Sequence, residues 1–192
     1  MTTIPVSTGR PPVLLIDDPF LAQPTHEETT RHRAYRFTLA LLRLSLGWVF
    51  AWAFLDKLFG LGHQTPSSGA WINGGSPTAG FLGKATKGPL ASFYQSFAGA
   101  GWADTLFMAA LFGIGTALVL GIAMRPAAVA GSTLLVMMWA AVLPPANNPF
   151  MDDHLIDALV LVLLALAGAG KTLGMGRLWE RIPVVDRHAS LR

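Results

Sequence analysis

Apolar residues in this chain gather into four runs, at about 35–59, 104–124, 126–143 and 154–169, separated by polar or breaker-rich stretches. A bilayer core of ~30 Å takes roughly 20 apolar residues in a helix, so each run predicts a transmembrane span, the last two being short. Arg125 and Pro126 divide the second run from the third. A proline is tolerated in a first helical turn, whereas one continuous helix would be far too long for the membrane. The stretch Leu143-Pro-Pro-Ala-Asn-Asn-Pro149 cannot continue a helix and divides the third run from the fourth. The predicted fold class is all-α: an integral membrane four-helix bundle with an outer-face loop carrying a short amphipathic helix.

Positive charge sets the expected orientation. Arg31, Arg33 and Arg36 precede the first run, Arg125 lies in the second connection, and Lys171, Arg177 and Arg181 follow the fourth run. The other two connections carry only Lys84 and Lys87. Both termini are therefore expected in the cytoplasm, with residues 1–33 a flexible tail, 34–170 the membrane domain and 171–192 a second cytoplasmic tail. No charged segment with a small-residue cleavage site opens the chain, so the first span is read as an uncleaved anchor.

The outer connection, 60–103, is too long for a simple link. Within it Leu90, Phe93, Tyr94 and Phe97 recur at helical spacing and form one largely aromatic face. That face either lies in the membrane surface or packs on the bundle end; both place it as a cap. In the second run, Ala109, Gly113, Ala117 and Gly121 repeat every four residues. Such a stripe lets helices approach closely, inside the bundle or between copies of the chain.

Composition agrees with a membrane protein: 52% of residues are hydrophobic, 13% charged, and the mean hydropathy is +0.47. Net charge is +3, but the basic residues do not cluster on one soluble face, so nucleic acid is not an expected partner. The chain has no cysteine, which excludes disulfides, thiolate nucleophiles and cysteine-held iron–sulfur or zinc sites. No haem or flavin signature is evident. Gly168-Ala-Gly-Lys-Thr172 imitates a phosphate-binding loop, but Ala165 stands where the first glycine belongs, and the segment closes a span instead of opening a helix. It reads as a helix end, not a nucleotide site.

Ionisable residues within apolar runs need a reason. Arg43 lies about 10 Å along the helix from Arg36. It is read as a cation facing the bundle interior, pairing with an acid or binding an anion or quinone carbonyl, or else as a structural ion pair or a snorkelled arginine. Asp56 and Lys57 stand near the outer end of the first span, shaping its mouth or anchoring it at the interface. The densest cluster is Asn147-Asn-Pro-Phe-Met-Asp-Asp-His-Leu-Ile-Asp157. Asp152 or Asp153 is expected to cap the fourth helix. Asp153 and Asp157 are four residues apart, and His154 and Asp157 three, so they share a face. A histidine–carboxylate pair exchanges protons near neutral pH, making Asp153, His154 and Asp157 candidate catalytic residues. Arg43, Asp56, Lys57, Asn147 and Asn148 are candidate quinone-binding residues. A metal is the rival reading, weakened by the single histidine, and no metal site is expected.

Three of these stretches, 43–62, 71–99 and 147–174, together resemble the DoxX/DoxD family. They read RLSLGWVFAWAFLDKLFGLG, WINGGSPTAGFLGKATKGPLASFYQSFAG and NNPFMDDHLIDALVLVLLALAGAGKTLG, and they are most similar to DoxD-type large subunits of thiosulfate:quinone oxidoreductase. The resemblance covers about residues 36–180 and includes segment order. It implies a subunit of the bacterial plasma membrane and respiratory chain. With a small DoxA-type partner, that subunit would pass electrons from thiosulfate to quinone. The family's polar positions match Arg43, Asp56, Lys57, Asn147, Asn148, Asp153 and His154 here. The rival expectation is a non-catalytic accessory or scaffold subunit of a respiratory or redox-defence complex. A small-solute transporter fits less well, because no inverted repeat or interrupted helix pair is visible.

Overall fold

The computed structural model describes residues 26–192. Its elements are helical, and no strand occurs among the described residues. The chain divides into two compact units, Met1–Ala34 and Tyr35–Arg192. Of the first, only the opening of a helix is described; the packing below belongs to the second.

Helix α1 (His26–Phe59) begins well before residue 35. The tail expected over 1–33 is therefore helical from His26, and its remainder lies outside the described residues. No glycine or proline interrupts 26–36, so nothing in the sequence stops the helix from extending that far. Helix α2 is the short Ala91–Gln95, and α3 spans Gly101–Leu120. Gly121 ends α3 at φ 71°, with the Ile122 N–H donating to the Ala117 carbonyl at 3.0 Å, the glycine-based helix stop. The expected continuation to residue 124 fails there. Helix α4 (Met124–Ala141) carries Pro126 in its first turn, and α5 (Asp153–Leu166) ends before Gly168 at φ 62°.

Helices α1, α3 and α4 are long and apolar enough to cross a membrane, and only 33–39% of each apolar window is buried within the protein. Exposed Leu41, Trp48, Leu106, Phe112 and Val129 lie on the remainder, a surface suited to lipid. The chain is a membrane protein by these helices. Helix α5 has 14 residues, about 21 Å at 1.5 Å each, short of the ~30 Å core.

Residues from all four long helices meet in one core, among them Leu46 and Phe50 of α1, Met108 and Leu118 of α3, Leu135 of α4 and Leu161 of α5. Close backbone approach between α1 and α3 rests on Gly47 and Gly115. A Cβ at Gly47 would sit 2.9 Å from Leu118 Cβ, and one at Gly115 would sit 2.8 Å from the Ala51 nitrogen. Gly113, on the stripe expected to pack, faces open space, and Ala109 beside it is exposed. A step of two residues turns a helix by about 200°, so Gly115 faces the core and Gly113 faces away.

The 60–103 segment covers the end at which α1 and α4 finish and α3 and α5 begin, called the loop end below. The Lys87 N–H donates to the Ala141 carbonyl at 3.0 Å. Tyr94 is buried against Leu82 and Ala141, with Phe97 packed beside them, while Phe93 is exposed. The aromatic face is thus a cap packed on the end of α4.

Residues 171–192, expected as a tail, are folded at the opposite end. They include α6 (Gly176–Trp179) and α7 (Pro183–Arg187), with Val185 buried. The Arg125 N–H donates to the Arg192 carbonyl at 2.8 Å, and Trp179 Nε1 donates to the Leu191 carbonyl at 2.7 Å.

Candidate functional site

The start of α5 gathers the groups best suited to proton chemistry. Asp152 has extended backbone, φ −141° and ψ 179°, and is the N-cap; its Oδ1 accepts from the Leu155 N–H at 3.3 Å. Its other oxygen, Oδ2, lies 2.9 Å from His154 Nδ1. The histidine partner is therefore Asp152, not Asp153 or Asp157. Helical spacing rules hold only inside a helix, and the extended cap turns its carboxylate back toward the first turn. A carboxylate facing Nδ1 places the ring proton on that nitrogen and leaves the lone pair on Nε2. Both side chains are partly exposed, 28% for His154 and 18% for Asp152.

Asp153 is exposed, and the side chain of Asp157, half-buried one turn deeper, hydrogen-bonds to no described residue. Three of these carboxylates and the imidazole thus occupy one helix end, but only Asp152 and His154 are joined. Among the described residues no group of three or more His, Asp and Glu side chains is arranged to hold a metal.

An open cleft of about 320 Å³ adjoins the cluster, its lining including Lys87, Val142, Asn147, Met151, Asp152 and Asp153. Its wall is fixed by two local devices. Asn148 Oδ1 accepts from the Phe150 and Met151 N–H groups, both at 2.9 Å, and Trp139 Nε1 donates to the Phe150 carbonyl at 2.7 Å. Asn148 is thus a turn former, whereas Asn147 faces the cleft. The cleft offers an apolar wall, a cation, an amide and two carboxylates, one of which, Asp152, carries the bond to His154.

Arg43 does not belong to this site. It is completely buried, and its guanidinium donates to the Leu118 and Val119 carbonyls at the end of α3 and to those of Thr172 and Leu173 beyond α5. The last two distances are 3.3 and 2.8 Å. A cation at a helix C-terminus meets the negative end of the helix dipole. Among the described residues no carboxylate pairs with it, and Nε has no partner. Gly121 and Gly174 leave it room; a Cβ at Gly121 would meet Nη1 at 2.7 Å. Arg43 thus lies at one end of α5 and Asp152, His154 and Asp157 toward the other.

Asp56 is likewise structural. It is 2% exposed, and its carboxylate accepts from the N–H groups of His63, Gln64 and Thr65 at 3.3, 3.1 and 2.9 Å. Lys57 reaches the Gln64 side chain at 3.3 Å. Asp104 performs a matching task, and sequence reasoning treated it only as a span boundary. Its Oδ1 accepts from Ser76 Oγ at 2.9 Å, the Thr78 N–H at 2.9 Å and Thr78 Oγ1 at 2.6 Å. The available signal was an aspartate in the first turn of a helix following a Ser- and Thr-rich loop. These two aspartates pin the first half of the covering segment, at 63–65 and at 76–78.

The chain matches no family model, no curated protein and no solved structure.

Proposed function

We propose that this chain is the membrane subunit of a quinone-linked oxidoreductase of the DoxX/DoxD type, with α5 as a fourth, shortened span and both termini in the bacterial cytoplasm. The observation that carries the reading is Asp152, which lines a cleft together with Lys87 and Asn147 and lies 2.9 Å from His154 Nδ1. A quinone takes two electrons and two protons on reduction. Two thiosulfates supply one electron each as the sulfur–sulfur bond of tetrathionate forms. A cysteine-free chain forms no covalent persulfide intermediate, so electrons enter the quinone directly or through a DoxA-type partner's centre. His154, oriented by Asp152 through Nδ1, donates a proton from Nε2 and regains it from the aqueous side. Lys87 and Asn147 supply donors for a quinone carbonyl.

The test is thiosulfate-dependent reduction of a soluble quinone analogue in membranes containing the chain and its DoxA-type partner. Reduction that falls with His154→Gln, the protein still folded, supports the reading; unchanged reduction sinks it.

A second reading, a non-catalytic accessory subunit, is favoured by one observation. The buried charges Arg43, Asp56 and Asp104 are all committed to holding backbone and hydroxyl groups.

A further inference from the structure

The end of the molecule opposite the cleft carries a folded collar, residues 171–192, with an unusual surface. The Met175 N–H donates to the Leu120 carbonyl at 2.7 Å, fixing the collar to the end of α3. Arg125 Nη1 donates to the Ala189 carbonyl at 2.7 Å and ties it to the start of α4. The collar therefore sits where two membrane-crossing helices end, at the depth of lipid headgroups. Leu173, Met175, Leu178, Ile182 and Val184 are each 42–59% exposed. Among them stand Arg177, Arg181 and Arg187, all exposed.

Charge pairing singles out these three arginines. The two acids of the collar are already engaged, Glu180 by Lys171 at 2.9 Å and Asp186 by Arg192 at 3.2 Å. Arg177, Arg181 and Arg187 make no ion pair with any described residue. Apolar side chains interleaved with unpaired cations suit an element lying in the plane of the membrane, apolar groups among acyl chains and charges among headgroups. Guanidinium also binds phosphate through paired N–H donors. We propose that the collar is an interfacial binding surface for anionic phospholipid headgroups, held by Arg177, Arg181 and Arg187. This is independent of the quinone reading.

The test uses the purified full-length chain in uncharged detergent, titrated with phosphatidylglycerol, phosphatidylcholine or inorganic phosphate and followed by native mass spectrometry and tryptophan fluorescence. The wild type is expected to prefer phosphatidylglycerol, by about fivefold for each arginine that engages a headgroup. Arg177→Gln, Arg181→Gln and Arg187→Gln each remove part of that preference, and the triple variant removes nearly all of it. Leu178→Ser with Val184→Ser weakens binding of both lipids without altering the preference. Equal affinity for the two lipids, or a preference intact in the single and triple arginine variants, overturns the proposal. So does inorganic phosphate competing as well as the lipid, which would make the surface a soluble-anion site.

Discussion

Arg43 of α1 donates a hydrogen bond to the carbonyl oxygen of Leu118 in the last turn of α3. The same guanidinium reaches Thr172 and Leu173 beyond α5, so one side chain ties three segments at the end opposite the cleft. Arg43→Met is expected to remove the donor from the part-buried Val119, Thr172 and Leu173 carbonyls, at up to about 1–3 kcal/mol each, while the Leu118 carbonyl keeps the Gly121 N–H at 3.2 Å. Thermal unfolding in detergent should register a loss of at least the lower figure. Arg43→Lys keeps the charge but lacks the forked donors and should fall between the two. Quinone reduction by the folded fraction of Arg43→Lys should match the wild type. A selective loss of turnover there would place Arg43 in the reaction after all.

Gly115 and Gly113 should respond oppositely to added bulk. The α1 backbone at Ala51 lies against Gly115, whereas nothing lies within 4 Å of a Cβ at Gly113. Gly115→Leu must therefore push α1 from α3, and overpacking of this kind costs about 1–3 kcal/mol or more. Gly113→Leu should leave the unfolding temperature nearly unchanged. Equal tolerance at both positions, measured side by side, would refute this packing of α3 on α1.

Asp104 pins the covering segment through Ser76 and Thr78. Removing the carboxylate in Asp104→Ala orphans the buried Thr78 N–H, at about 1–3 kcal/mol. The expected outcome is faster proteolysis between residues 76 and 100, with the transmembrane helices still intact by circular dichroism. Asp104→Asn retains an acceptor and should show a smaller effect. Cleavage rates identical to the wild type in Asp104→Ala would mean that the segment is held by its aromatic packing alone.

The membrane helices were legible because apolar runs and breakers such as Pro126 and the 143–149 stretch act locally. Facing was not. Gly113 and Gly115 are equally small, and only the position of α1 decides which is buried. The chemistry-bearing residues of α5 were found as a cluster, but the partner was misassigned. Asp152 lies outside the helix, where the three- and four-residue spacings do not apply. Arg43 showed itself as a buried cation from its depth in an apolar run. Its partners are backbone carbonyls, and those have no sequence signature. The collar was hidden for a related reason: Arg125 anchors it through the carbonyl of Ala189, distant in sequence, and Trp179 closes it on itself through the carbonyl of Leu191, both silent in composition.

Asp152 separates capping from chemistry. Asp152→Asn keeps a side-chain oxygen to accept from the Leu155 N–H, and asparagine caps about as well as aspartate. Helix α5 and overall stability should therefore change little. What is lost is the charged acceptor 2.9 Å from His154 Nδ1, which fixes which nitrogen carries the proton. General acid–base catalysis contributes about 10²–10⁴-fold. His154→Gln should thus lower quinone reduction by about a hundredfold or more, and Asp152→Asn by a smaller factor. Asp157→Asn, which breaks no hydrogen bond to a described residue, should test whether the deeper carboxylate joins the relay. If Asp152→Asn leaves the rate unchanged while His154→Gln abolishes turnover, His154 acts without its partner and Asp152 is only a helix cap.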